Sequence, residues 1–349
     1  MEGKLFRLPL RLRIVTWVIV CSWLVLAVFP LFWLAVMSFK LPLDAFDENP
    51  LVVVFGPGTS QMVGGISAIG LALALGFAYL LVRAYTRRRV WFERLRAADV
   101  PTPLALPGFY AALVVAALLG FVLLVPLLSR VAQLALAGVP LLRVLVEPLL
   151  GLTTQHYQAV WIENEFYRHF VNTMVVTTGV VTISLTIGTL AAYALARTRT
   201  SAAFWILIVA LVFRALPHST LVTGYLPPFI EFGLYGKRIA VIIVLVAINQ
   251  PFTIWMLRSF FMNIPHELDE AALVDGCNRL QAFWRVIMPI MWPGVITTGL
   301  FSFMLAYNDF LVSALLLDGP TRTMVPAIMQ YFNRETTLTD QLEAIAAAA

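Results

Sequence analysis

The chain has 349 residues, 60% of them hydrophobic and only 12% charged, with a formal net charge of +5. Soluble domains run near half apolar and a quarter charged, so this composition excludes an ordinary soluble enzyme and indicates an integral membrane protein. The positive balance carries information through its placement beside apolar runs; by itself it does not point to nucleic acid. Two cysteines, Cys21 and Cys277, give no support to a disulfide framework or a thiolate metal site.

A hydrocarbon core about 30 Å thick needs roughly 20 apolar residues of helix. Lipid offers no partner to open backbone groups, so helices are the expected spanning form. Lys4, Arg7, Arg11 and Arg13 precede the apolar run Ile14–Met37. That run is too long for a signal peptide and has no small-residue cleavage site, so it reads as a retained first span with the N-terminus inside and Ser38–Pro50 outside. Gln61–Val82 ends in "RAYTRRRVWFERLR", whose six arginines put that end inside. Leu104–Leu128 returns outward, followed by an outer segment in which Val131–Leu142 reads as an interfacial helix or a short span. Phe170–Ala196 runs inward to Arg197 and Arg199. Ser201–Ile230 runs outward, interrupted by Arg214 and Pro217. Ile239–Met262 runs inward and Pro293–Leu317 outward. Seven spans result, with Lys237, Arg238 and Arg322 left as scattered cations on the outer side.

Between the last two spans lies "DEAALVDGCNRLQAFWRVIMP", a polar stretch in an apolar chain. Pro265 suits the first turn of a helix, Gly276 the left-handed position past its end. Asn278 with Gln281 three residues later forms a capping box for a second helix that Pro289 stops. The result is an elbow with one apolar face (Leu268, Ala271, Ala272, Leu280, Phe283, Trp284, Ile287) and one charged face (Glu267, Asp269, Glu270, Asp275, Arg279, Arg285). Such a face rests on the bilayer or on the chain's own helices, or else it docks a soluble partner.

Glu270, Ala271, Ala272 and Gly276, with the ending Ile287, Met288, Pro289, resemble the signature loop of the membrane subunits of binding-protein-dependent ABC importers. The segments "NTMVVTTGVVTISLTIGTLAAYALARTR", "NQPFTIWMLRSFFMNIPHELDEAALVDG" and "FSFMLAYNDFLVSALLL", with "FPLFWLAVMSFK" in the first span, are similar to the MalG-type carbohydrate permeases. The resemblance implies an all-α, polytopic membrane protein with a MetI/MalG-like permease core. It further implies that Glu270, Ala271, Ala272, Asp275, Gly276 and Pro289 couple to an ATPase subunit. The partners it implies are a dimer of ABC ATPases that binds ATP and Mg, a second, MalF-like permease subunit, an extracytoplasmic solute-binding protein and a carbohydrate. The place it implies is the bacterial cytoplasmic (inner) membrane. Two departures from the family pattern divide the chain into 1–54, an inserted region 55–150 with two extra spans, and a core 151–349 with its coupling loop at about 264–290. The family's final inward span, after a loop near Asn333, is absent, which reads as truncation.

Arg214 lies mid-span, where an unpaired cation is costly, with His218 one turn on and Asp309 beside Asn308 at similar depth as a possible partner. Asn249 and Gln250, before the kink-forming Pro251, are a second midspan polar group. With Tyr225, Tyr307 and Asn308 these are candidates for a substrate pathway. The alternative for each is helix-to-helix pairing within the bundle. No G-x-x-x-x-G-K-[ST] loop occurs, so ATP is not bound by that device. The four histidines, His156, His169, His218 and His266, are scattered. The expected protein is a non-enzymatic pore subunit without a cofactor of its own. An importer permease for another solute class, and a self-sufficient secondary transporter, remain as alternatives.

Overall fold

In the computed structural model the described residues are 10–87, 102–136, 145, 147–198, 201–214, 218–332 and 337–349. Lys4, Arg7, the arginines from 88 onward in the basic cluster, Arg199, Pro217, Asn333 and the end of Val131–Leu142 lie outside them. In chain order the helices are α1 Leu10–Ser38, α2 Pro42–Ala45, α3 Pro50–Phe55, α4 Pro57–Met62, α5 Ala68–Thr86, α6 Thr102–Leu119, α7 Val125–Leu136 and α8 Gln155–Gln158. They continue with α9 Tyr167–Arg197, α10 Ser201–Arg214, α11 His218–Glu231, α12 Arg238–Met262, α13 Glu267–Val274, α14 Arg279–Ala282, α15 Met288–Tyr307, α16 Leu311–Leu316, α17 Met324–Met329 and α18 Leu338–Ala348. The only strands among the described residues, β1 Gly65–Ser67 and β2 Pro148–Gly151, pair antiparallel with Ile66 opposite Leu150. Apart from this short pair the described architecture is helical, the all-α class that the resemblance implied.

The chain divides into two compact units, residues 1–158 with 337–349, and residues 159–336. In the first, α1 carries no charge after Arg13; its residues 12–32 are exposed, while Ser38 at its end is buried. Just beyond it the backbone is tied down by a polar clip. The Lys40 ammonium donates to the Gly151 carbonyl, and His156 Nε2 donates to the Lys40 carbonyl at 2.9 Å. The Asp44 carboxylate accepts from the backbone N–H groups of Gly58 and Thr59. Burial pushes both the Lys40 and the His156 pKa down, Asp44 acting against this at Lys40 and the hydrogen bond to Lys40 against it at His156. Thr337 and Asp340 cap α18 reciprocally, and α18 packs on α1 and α8.

In the second unit α9 packs most extensively on α12 and next on α15. Close approach of α9 to α12 depends on Gly188, where an added Cβ would sit 2.7 Å from Thr253 Cγ2. Two apolar clusters fill this bundle. One is built around Val180, Val241, Leu245 and Leu316, the other around Leu257, Phe261, Phe283 and Ile287. The second lies beneath the elbow and fixes where it sits.

Five described helices are long and apolar enough to cross a membrane: Leu12–Ser38, Ala68–Thr86, Tyr167–Arg197, Arg238–Met262 and Arg279–Tyr307. The differences from the seven expected spans have local causes. The second begins at Ala68 and not Gln61, because Pro57–Met62 closes a helix of its own and Gly65–Ser67 is taken by the strand pair. The third and the expected interfacial helix merge: α6 runs through a π-turn at Gly120–Leu124 into α7. That wider turn precedes Pro126, which lacks an N–H, so the helix is not broken. Of the fifth, the described parts are α10 and α11, with residues 215–217 between them outside the described residues. The last starts fourteen residues early, at Arg279, and ends at Tyr307.

Candidate functional site

Glu267, Asp269 and Glu270 occupy the first turn of α13, where carboxylates favour the positive end of the helix. At its other end Gly276 has φ +88°, Cys277 N–H donates to the Ala272 carbonyl at 3.0 Å, and Gly276 N–H to Leu273 at 3.1 Å. This paired pattern is the left-handed helix stop that glycine makes cheaply. Asn278 and Gln281 then cap each other's backbone N–H at 2.8 and 2.9 Å and launch α14. Both features were expected from the residues alone.

Pro289 does not stop the second helix, contrary to the reading above. A π-turn at Phe283–Ile287 carries α14 directly into α15, so Pro289 sits inside a continuous helix Arg279–Tyr307. A proline in an α-helix clashes with the carbonyl four residues back, here Arg285, and the π-turn opens the ladder at that residue. The elbow is therefore rigidly continuous with a long membrane-type helix.

The apolar face also divides differently. Ala272, 4% exposed, and Phe283 and Ile287 turn into the core, where Phe283 packs 4.9 Å from the Tyr193 ring. Leu273, Val274, Leu280 and Trp284 are exposed, Val274 at 86%, and with Glu270, Ala271, Asp275 and Gly276 they form the outward surface. Of the two alanines, Ala271 faces out and Ala272 seats the elbow. Helical position decided this: a residue's direction depends on which neighbour its helix meets, and α13 meets the aromatic cluster on the Leu268–Ala272 side.

The anchoring contacts among Tyr193, Arg197 and Asp269 escaped the sequence reading. Arg197 Nη2 pairs with Asp269 Oδ2 at 2.6 Å and Nη1 donates to the Ile264 carbonyl at 3.2 Å, while the Tyr193 hydroxyl donates to Asp269 Oδ1. The Arg197 guanidinium also lies 5.7 Å from the Tyr193 ring centroid. Tyr193 and Arg197 are four apart and share a face in the last turns of α9, the one signal that could have found them. Asp269 was visible only as one charge among six on the elbow.

The midspan candidates separate into two groups. Asn249, 1% exposed, donates to Ser302 Oγ at 2.7 Å, and Gln250 Nε2 donates to the Ser184 carbonyl at 3.4 Å, so both staple α12 to its neighbours. Arg214, Tyr225 and Pro251 are brought to one cavity of about 370 Å³, with Ala210, Phe213, Ala247 and Ile248. Arg214 does not pair with Asp309. Its guanidinium lies 4.7 Å from the Phe252 ring centroid, while Asp309 accepts from the backbone N–H groups of Val312 and Ser313 and from the Ser313 hydroxyl and so starts α16. Tyr307 stacks on Phe303, and the Asn308 side chain donates to the Met304 carbonyl at the end of α15. His218 opens α11.

A bundle of long apolar helices, with an amphipathic elbow pinned to α9 by Arg197, is the architecture of a multi-pass membrane protein. The comparisons agree. Residues 184–349 match the model of the family described as binding-protein-dependent transport system inner membrane component. The chain is similar to y4oR of Sinorhizobium fredii, named as a probable ABC transporter permease, at 34% identity over 53% of this chain and 65% of that one. It is 32% identical to the trehalose/maltose transport system permease protein MalG of Thermococcus litoralis, over 48% of this chain and 60% of the relative. It is 30% identical to the inner membrane ABC transporter permease protein YcjP of Escherichia coli, over 50% of this chain and 63% of the relative. Each match spans less than two thirds of the relative's own length. The family is a membrane transport component and not a class of enzyme.

Proposed function

We propose that the chain is a permease subunit of an ATP-binding-cassette importer, forming half of a transmembrane pathway for a carbohydrate. The observation that supports this most directly is the elbow. Leu273, Val274, Leu280 and Trp284 are apolar and exposed on a surface held rigid by the Arg197–Asp269 pair and by the unbroken helix Arg279–Tyr307. An apolar surface ringed by Glu270, Asp275 and Arg279 suits the groove of a soluble partner. That partner is an ATPase dimer, which binds ATP and Mg, on the inner side of the membrane, the side on which the N-terminus also lies. Carbohydrate is favoured by the kind of solute named for the Thermococcus relative. A MalF-like second permease completes the pathway, and an external solute-binding protein delivers the substrate.

In this mechanism closure of the ATPase dimer pushes on α13. The push passes through Asp269 to the end of α9 and through the π-turn to α15, so the helices rock as bodies between inward and outward access. Purification from membranes in mild detergent tests the reading. Recovery with an ATPase and a second permease, with ATP hydrolysis in the complex, supports it. Recovery of the chain alone, taking up solute on an ion gradient, replaces it with the secondary-transporter reading.

A further inference from the structure

Arg214 is a cation of the second unit that forms no ion pair among the described residues, in contrast to Arg197, which pairs with Asp269. It lies in the last turn of α10 as described. A cation there is costly unless something answers it, and the face of Phe252 offsets only part of that cost.

The cavity beside it has two further features. Pro251 has no N–H, so the carbonyl four residues back, Ala247, has no α-helical donor, and Ala247 lines the same cavity. Tyr225 supplies an aromatic face and a hydroxyl. Arg214, Ala247 and Tyr225 thus line one cavity of about 370 Å³, within the range of small-molecule sites.

We propose that this cavity takes an acidic saccharide unit. The Arg214 guanidinium holds a uronate carboxylate through its two-pronged donor geometry, the Ala247 carbonyl accepts from a ring hydroxyl, and Tyr225 packs on the sugar ring. The inference rests on the importer reading and narrows its substrate class.

The test uses the complex purified without its external binding protein, so that selectivity belongs to the membrane subunits. Equilibrium dialysis compares digalacturonate with cellobiose, a neutral disaccharide. The wild type is expected to bind digalacturonate about tenfold or more tighter, the scale of one charge-assisted contact. Arg214→Gln abolishes the preference and Arg214→Lys keeps part of it. Equal affinity for the two sugars, no digalacturonate binding by the wild type, or a preference that survives Arg214→Gln overturns the inference. The wild-type comparison decides even if a variant fails to fold. A complex that carries an ATPase but is indifferent to uronate sinks only this inference; a chain purified without any ATPase sinks the importer reading itself.

Discussion

Arg197 and Asp269 stand 72 positions apart in the sequence and 2.6 Å apart in space, both side chains about 15% exposed or less. They join the end of α9 to the elbow. Replacing Asp269 by Ala leaves Arg197 buried and unpaired, which costs about 3–5 kcal/mol for a buried pair. The expected result is a lower midpoint for thermal unfolding in detergent and weaker coupling of hydrolysis to uptake. The double change Arg197→Met with Asp269→Leu should recover most of the stability but not the coupling, because no charge is stranded. Equal unfolding midpoints for wild type and Asp269→Ala would refute the anchoring role.

Gly276 has open space around its Cβ position, so a side chain there fails for conformational reasons and not for lack of room. At φ +88° an L residue costs about 1–2 kcal/mol. Gly276→Val should insert into the membrane normally yet swing Val274 and Leu280 out of register with the partner. ATP hydrolysis would then proceed with little uptake. Full ATP-driven uptake by this variant would show that the turn has no part in coupling.

Asn249 was a pathway candidate by sequence, but in the bundle it bonds to Ser302. Asn249→Ala should lower stability by about 0.6–2 kcal/mol, the range for such bonds between membrane helices, and leave substrate affinity unchanged. A changed affinity at unchanged stability would return Asn249 to the pathway.

The clip at Lys40 and His156 gives a pH dependence. Burial lowers the His156 pKa below 6.5, so as pH falls below about 6.5 the unfolded chain takes a proton that the folded clip refuses. Stability contributed by this site is therefore full above about 6.5 and declines as the medium acidifies toward the folded pKa. Lys40 acts in the same sense at alkaline pH, folding becoming easier as pH rises toward 10.5. Protease protection of residues 38–62 should weaken between pH 7 and 5, and His156→Gln should flatten that slope. A slope unaltered in His156→Gln would place the titrating group elsewhere.

Much was legible in the residues themselves because the physics involved is local. Apolar length marks a membrane-type helix, and Gly276 and the Asn278–Gln281 box mark the elbow's turn. These signals are read within a few residues and do not depend on what lies across the bundle. The tertiary structure decided what depends on neighbours. It turned Ala272 inward and Val274 outward, kept Pro289 inside a helix by opening a π-turn before it, paired Arg197 with Asp269, and gave Asp309 to the start of α16 and not to Arg214. A buried polar group takes whichever partner the packing brings within about 3 Å, and that choice is made by helices far apart in the chain.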